Sequence, residues 1–118
     1  MKLAVVTASL APGRAEPCTH SWLARATTIP PLYIVRQAME GYVMRDEKWV
    51  QATNWWYRTP DVLGVVPAFA IGVQKALQDG AEIIACFHDD LLIEEDGWDE
   101  TVIRTFKACP RAGLLGFG

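Results

Sequence analysis

The segment Ile83-Ile84-Ala85-Cys86-Phe87-His88-Asp89-Asp90 constrains the fold of this chain more than any other. Five uncharged residues run straight into an imidazole and two carboxylates. Such a run reads as a strand buried on both faces, the pattern of a parallel sheet. In open α/β sheets, ligands bind just beyond the carboxyl ends of such strands. Two adjacent acids there repel each other unless positive charge is close. A hard divalent cation that also holds substrate phosphates relieves the repulsion. The segment therefore points to a metal-dependent enzyme acting on a nucleotide or another phosphorylated compound.

The 118 residues fit one domain. A chain of this size buries about two-thirds of its unfolded surface, so it needs no disulfide or metal to hold a core. Its 51% hydrophobic and 21% charged residues are those of an ordinary globular protein. The net charge of −3 argues against non-specific binding to nucleic acid or to an anionic membrane, since both want a basic face. The apolar runs fall far short of the ~20 residues of a membrane span. Met1 to Val6 carries one positive charge and a short apolar stretch, but Thr7 and Ser9 cut it short, so it is a poor secretory leader. Cys18, Cys86 and Cys109 are odd in number and unpatterned. They predict free thiols and a cytoplasmic location.

Strand and helix patterns alternate along the chain. Lys2 to Ala8 reads as a buried strand, followed by a loop punctuated by Pro12-Gly13 and Pro17. Thr19 or Ser21 can cap a short helix running to Thr28. Pro30-Pro31 stops it, and Leu32 to Val35 reads as a second strand. Trp49, Thr53 and Trp56 recur at helical spacing, so a helix is expected over Asp46 to Tyr57. After a turn at Thr59-Pro60-Asp61, Val62 to Val66 reads as a short strand or loop. Pro67 suits the first position of the next helix, Phe69, Val73, Ala76 and Leu77 its apolar face, and Gly80 the position just past its end. Ala81 to Phe87 is the buried strand of the opening argument. Asp96 can cap a helix from Gly97 to about Cys109, with Trp98, Val102, Ile103 and Phe106 facing the core. Glu100 and Arg104 are spaced as an i, i+4 pair. Pro110 ends the helix, and Leu114-Leu115 begins a further strand. The alternation predicts an α/β fold, with a mostly parallel sheet and helices on both faces.

The string Phe87-His88-Asp89-Asp90-Leu91-Leu92-Ile93, followed by Asp96-Gly97-Trp98, resembles the DxD region of family 2 glycosyltransferases, which have the Rossmann-like GT-A fold. The match is specific around the acidic triplet. It extends more loosely to the Ala4-Val5-Val6-Thr7-Ala8-Ser9 start, to Leu63-Gly64-Val65 through Gly72 to Ala76-Leu77, and to Leu114-Leu115-Gly116-Phe117-Gly118. The resemblance implies a nucleotide-sugar-binding domain that holds a nucleoside-diphosphate sugar through Mn²⁺ or Mg²⁺. By position it makes Asp90 the leading metal ligand, with His88 in the place of the family's first acid. Imidazole is a softer ligand than carboxylate, which leaves the choice of metal open. Asp89 then contacts the ribose or organises the turn. Thr7, Ala8 and Ser9 fall on the edge that meets base and ribose, and Gly64 falls in the helix motif.

Two departures stand out. The family usually places an acid just after the second strand to recognise the base. Here Ile34-Val35 runs into Arg36-Gln37-Ala38, so Gln37 is the residue left to meet a base edge. The Asn of the family's helix motif is replaced by Ala70.

Trp49, Trp55, Trp56 and Tyr57 suit sugar or base stacking, but core packing is the more ordinary role of such a cluster. Glu94, Glu95 and Asp96 read more simply as a solvated turn at a helix start than as a source of base catalysis. Cys18 and His20 lack the second pair that a zinc site needs.

The expected reaction is glycosyl transfer to an unknown acceptor, with the metal stabilising the departing diphosphate. The family's general base lies in an acceptor-binding half that would follow Gly118. Either such a half follows, or another subunit, including a second copy, completes the site, or the domain binds donor without turnover. The alternatives are a non-catalytic nucleotide-binding module and a nucleotidyltransferase. The latter wants a basic Gly-rich loop after the first strand, of which Pro12-Gly13-Arg14 is a thin version.

Overall fold

The computed structural model describes residues 1–9, 15–37, 49–51, 54–59 and 61–109. They form β1 (Leu3–Ser9), α1 (Ala15–Ala24), β2 (Leu32–Arg36), β3 (Trp49–Gln51), β4 (Trp55–Arg58), α2 (Val65–Gln78), β5 (Ile83–Cys86) and α3 (Trp98–Ala108). The strand order is β3-β4-β2-β1-β5. β1 pairs in parallel with β2 and β5, and β2 pairs in parallel with β4. β3 returns antiparallel to β4, so the sheet is mixed rather than mostly parallel. This is an α/β domain of five strands and three helices among the described residues.

The period-two alternation of β1 builds the two layers. Leu3 and Val5 face one side, where Trp22 and Cys18 of α1 and Trp98 and Val102 of α3 close over them. Ala4 and Val6 face the other side, against Phe69, Val73 and Ala76 of α2. Helices therefore cover both faces, as the alternation of patterns predicts. α2 packs closely on the sheet at Gly72, where a Cβ would run into Val6 Cγ1.

Trp22 and Trp98 anchor the first layer. Phe87 lies edge-on between them, with ring centroids 5.1 and 5.2 Å away. The Trp98 indole N–H donates to the Trp22 carbonyl across 2.9 Å, so burial of the ring leaves no orphaned donor. Asp99 is 2% exposed and accepts the backbone N–H groups of Thr27 and Thr28 at 2.8 and 3.0 Å. Those bonds pin the loop after α1 to the start of α3.

Several sequence expectations are corrected. The helix expected over Asp46 to Tyr57 is replaced, among its described residues, by β3 and β4; Asp46 and Thr53 lie outside the described residues. Consecutive bulky aromatics suit a pleated, half-buried strand better than a helix. Trp55 turns to one face and stacks on Tyr33 at 6.3 Å, while Trp56 packs against the opposite core. Cys86, expected in the core, is exposed, and Ile84 is only partly buried. Both sit on the last strand of the described sheet, on the face that α2 covers incompletely. Leu77 is likewise 56% exposed; α2 buries Ala68, Gly72 and Ala76, with Phe69 and Val73 packed beside them against the core.

Helix starts also shift. α1 begins before Thr19, and α2 begins at Val65, which leaves Pro67 inside the first turn, where an N–H has no helical partner to lose. α3 is preceded by Gly97 in a left-handed conformation (φ 71°), while Asp96 pairs with Arg25 at 3.2 Å. Arg104 turns to Thr101 Oγ1 at 3.5 Å rather than to Glu100. Gly80 does follow α2, with φ of 95°. None of the three cysteines forms a disulfide. Pro12-Gly13-Arg14, Pro110 and Leu114-Leu115 lie outside the described residues. No helix among the described residues is long and apolar enough to cross a membrane.

Candidate functional site at the carboxyl edge of the sheet

Four parallel strands end on one edge: β4 at Arg58, β2 at Arg36, β1 at Ser9 and β5 at Cys86. Ser9, Gln37, His88, Asp89 and Asp90 lie along or just beyond this edge. Ser9 is the last residue of β1, and its hydroxyl donates to Asp89 Oδ2 across 3.1 Å. The Ser9 carbonyl accepts the Gln37 backbone N–H at 2.9 Å. The Gln37 side-chain oxygen in turn accepts the N–H groups of Leu63 and Gly64 at 2.8 and 3.1 Å. Gly64 caps α2 with φ of 88°, a conformation that favours glycine. One chain of bonds thus links Gly64, Gln37, Ser9 and Asp89 across three elements and the loop before α2.

These partners refine the expected roles. Gln37 is 5% exposed and its carbonyl oxygen already serves two backbone donors, so it positions the α2 loop rather than presenting that oxygen to a base. Ala8 is partly buried inside β1, in register with Val35. Thr7 is fully buried on the face covered by α1 and α3, and its hydroxyl oxygen has no hydrogen-bond partner among the described residues.

The acids follow β5 in a tight turn closed by the Leu91 N–H and the His88 carbonyl at 3.1 Å. His88 and Asp90 are exposed, and Asp89 is half-buried against Ser9. The His88 ring meets Phe69 of α2 edge-on at 5.9 Å. Behind the turn, α1 holds the chain: the Trp22 indole N–H donates to the Leu91 carbonyl at 2.7 Å, and Ser21 Oγ accepts the Ile93 N–H at 3.1 Å. The acidic turn is therefore tethered on both sides, which is what a preorganised ligand site needs. Glu94 and Glu95 line an open hollow of about 410 Å³ beside it, with Leu91, Leu92 and Trp98.

Chemically, the exposed Asp90 carboxylate and its neighbour Asp89 offer hard oxygen donors suited to Mg²⁺ or Mn²⁺. No group of three or more His, Cys, Asp or Glu side chains is gathered for a metal among the described residues. An ion here would take its remaining ligands from phosphate and water, the usual habit of Mg²⁺.

Arg36 and Arg58 were not legible as site residues. They are in-register partners on β2 and β4, and both guanidinium groups lie over Trp56, at 5.5 and 5.6 Å from the ring centroid. Arg36 Nη2 and Arg58 Nε are buried without a hydrogen-bond partner among the described residues. An unmet buried donor ordinarily costs about 1–3 kcal/mol, and more when charged. The only sequence signal was Arg36 just past a strand expected to end at Val35, while Arg58 followed a segment expected to be helical.

Comparison with known proteins finds no matching family model, curated protein or solved structure.

Proposed function

We propose that this chain is a glycosyltransferase-like domain that binds a nucleoside-diphosphate sugar through a divalent metal for glycosyl transfer, with a Rossmann-like GT-A topology. One observation carries the proposal. The His88-Asp89-Asp90 turn lies beyond the carboxyl end of parallel strand β5, and Asp89 is bonded to Ser9 at the end of neighbouring β1. That is where open α/β sheets take their ligands.

In this reading Asp90 holds the metal, and Asp89, fixed by Ser9, orients the turn or meets the ribose. His88 stands beside them as a softer donor, steadied by Phe69. The metal, when bound, stabilises the negative charge that develops on the leaving diphosphate. Ser9, at the end of β1, is the residue of that strand nearest the nucleotide, and Gly64 keeps the start of α2 open to it.

Thermal unfolding against a panel of nucleoside-diphosphate sugars, with and without Mn²⁺, tests the proposal. A ligand that binds only the folded state raises its stability by mass action. At least one sugar nucleotide should raise the melting temperature when metal is present and fail to do so in chelator. A panel without any metal-dependent shift would overturn it.

A further inference from the structure

We propose that Arg36 and Arg58, held over the Trp56 ring, form a binding site for a doubly charged phosphate group. Three buried polar side-chain atoms lack hydrogen-bond partners among the described residues: Thr7 Oγ1, Arg36 Nη2 and Arg58 Nε. They come from three adjacent strands, at one edge of the sheet and on one face. The strand register explains the grouping. Thr7 pairs with Ile34 and Ile34 with Trp56, giving one row across the sheet; Ser9 pairs with Arg36 and Arg36 with Arg58, giving the next row outward. Side chains two apart on a strand share a face. Both arginines therefore stand on the same face as Trp56, one row nearer the edge, and Thr7 lies in the row beneath.

Two like charges on neighbouring strands, about 5 Å apart, repel each other. The ion pairs among the described residues are Arg25 with Asp96 and Lys75 with Asp79, so neither Arg36 nor Arg58 has an acid there. The indole face offsets part of the charge through cation–π contact but accepts no hydrogen bond from the guanidinium edge. What the pair lacks is an acceptor with charge to match both forks. Phosphate supplies it, since its oxygens receive bidentate guanidinium donors. At ~4.8 Å between strands, β2 and β4 stand about 10 and 14 Å from β5, so the arginines approach a ligand from the other end of this edge from the acidic turn. The proposal does not rest on the nucleotide-sugar reading.

The test is a titration followed by NMR of the arginine Nε–H and tryptophan indole signals, in chelator-treated buffer that silences any metal site. Inorganic phosphate and a nucleoside diphosphate are added in separate arms. Phosphate should shift the Arg58 and Trp56 signals. Arg36→Gln and Arg58→Gln should each weaken binding about tenfold or more, the loss expected for a charged hydrogen bond. Arg36→Lys and Arg58→Lys keep the charge but lose the fork, so each should weaken binding by less; they carry the comparison if a glutamine variant fails to fold. Arg104→Gln, removing a charge from an exposed position on α3, should leave binding unchanged. Tighter binding of the nucleotide marks the phosphate as part of a larger ligand, and equal binding marks free phosphate as sufficient. Absence of any shift, or equal weakening by Arg104→Gln, would overturn the proposal.

Discussion

The Ser9 hydroxyl donates to Asp89 Oδ2 across 3.1 Å, joining the last residue of β1 to the acidic turn after β5. The two residues are 80 apart in sequence, and only parallel pairing of β1 with β5 brings them together. Ser9→Ala should cost about 1 kcal/mol of stability in a urea titration, the ordinary worth of one such bond. It should also weaken metal-dependent nucleotide binding, because Asp89 loses its tether. Unchanged stability and unchanged binding would show that the bond is incidental.

Trp98 is 2% exposed, packs edge-on against Phe87 and donates to the Trp22 carbonyl. Trp98→Ala should cost about 3–5 kcal/mol, the range for a buried large aromatic. Denaturant unfolding measures it; a loss under ~1 kcal/mol is incompatible with this packing.

Asp99 gives the protein an acid limit. Burial works against its ionisation, but the backbone N–H groups of Thr28, Thr27, Glu100 and Asp99 itself outweigh burial and hold its carboxyl below the usual range. A group with a depressed folded pKa stabilises the fold above its unfolded value, about 3.9, and loses that contribution as pH falls through the folded value. The stability gap between wild type and Asp99→Asn should therefore be full near pH 7 and narrow progressively below about pH 4. A gap independent of pH would contradict the assignment.

Gly72 reverses a common rule. Replacing a helical glycine with alanine usually stabilises by about 1 kcal/mol. Here the added methyl meets Val6 Cγ1, so Gly72→Ala should instead destabilise by about 1–3 kcal/mol, the cost of overpacking. In the double variant with Val6→Ala the two effects should be less than additive, since the smaller side chain makes room. Stabilisation by Gly72→Ala alone would show that α2 lies farther from β1.

Much of the fold was legible because apolar runs and helical periodicity carry it. β1 and β2 stand out as continuous apolar runs, α2 and α3 follow a 3.6-residue pattern, and Gly80 marks the end of α2. The segment from Asp46 to Tyr57 reads as a helix because Trp49 and Trp56 fit helical spacing by coincidence, while the strand tendency of Trp55-Trp56-Tyr57 is realised by pairing with β2 and β3. Cys86 was misjudged because an apolar run does not reveal which strand stands at the end of a sheet. At the site, the acidic turn was visible as a local motif. The Arg36–Trp56–Arg58 group was not, because strand register rather than sequence spacing assembles it.

Calorimetric titration of nucleoside diphosphates with and without Mn²⁺ or Mg²⁺, in wild type and Asp90→Asn, addresses the proposed function at its root. Metal and nucleotide should each tighten the other's binding by the same factor, because such coupling is reciprocal. Asp90→Asn keeps the side chain's shape and removes its charge, so the protein should fold and the coupling should vanish. His88→Ala should weaken the coupling less, or shift preference from Mn²⁺ toward Mg²⁺. Nucleotide binding that needs no metal and that Asp90→Asn leaves unchanged would contradict a metal-bridged diphosphate at this edge, and would leave Asp89 and Asp90 as solvated acids at the end of a strand.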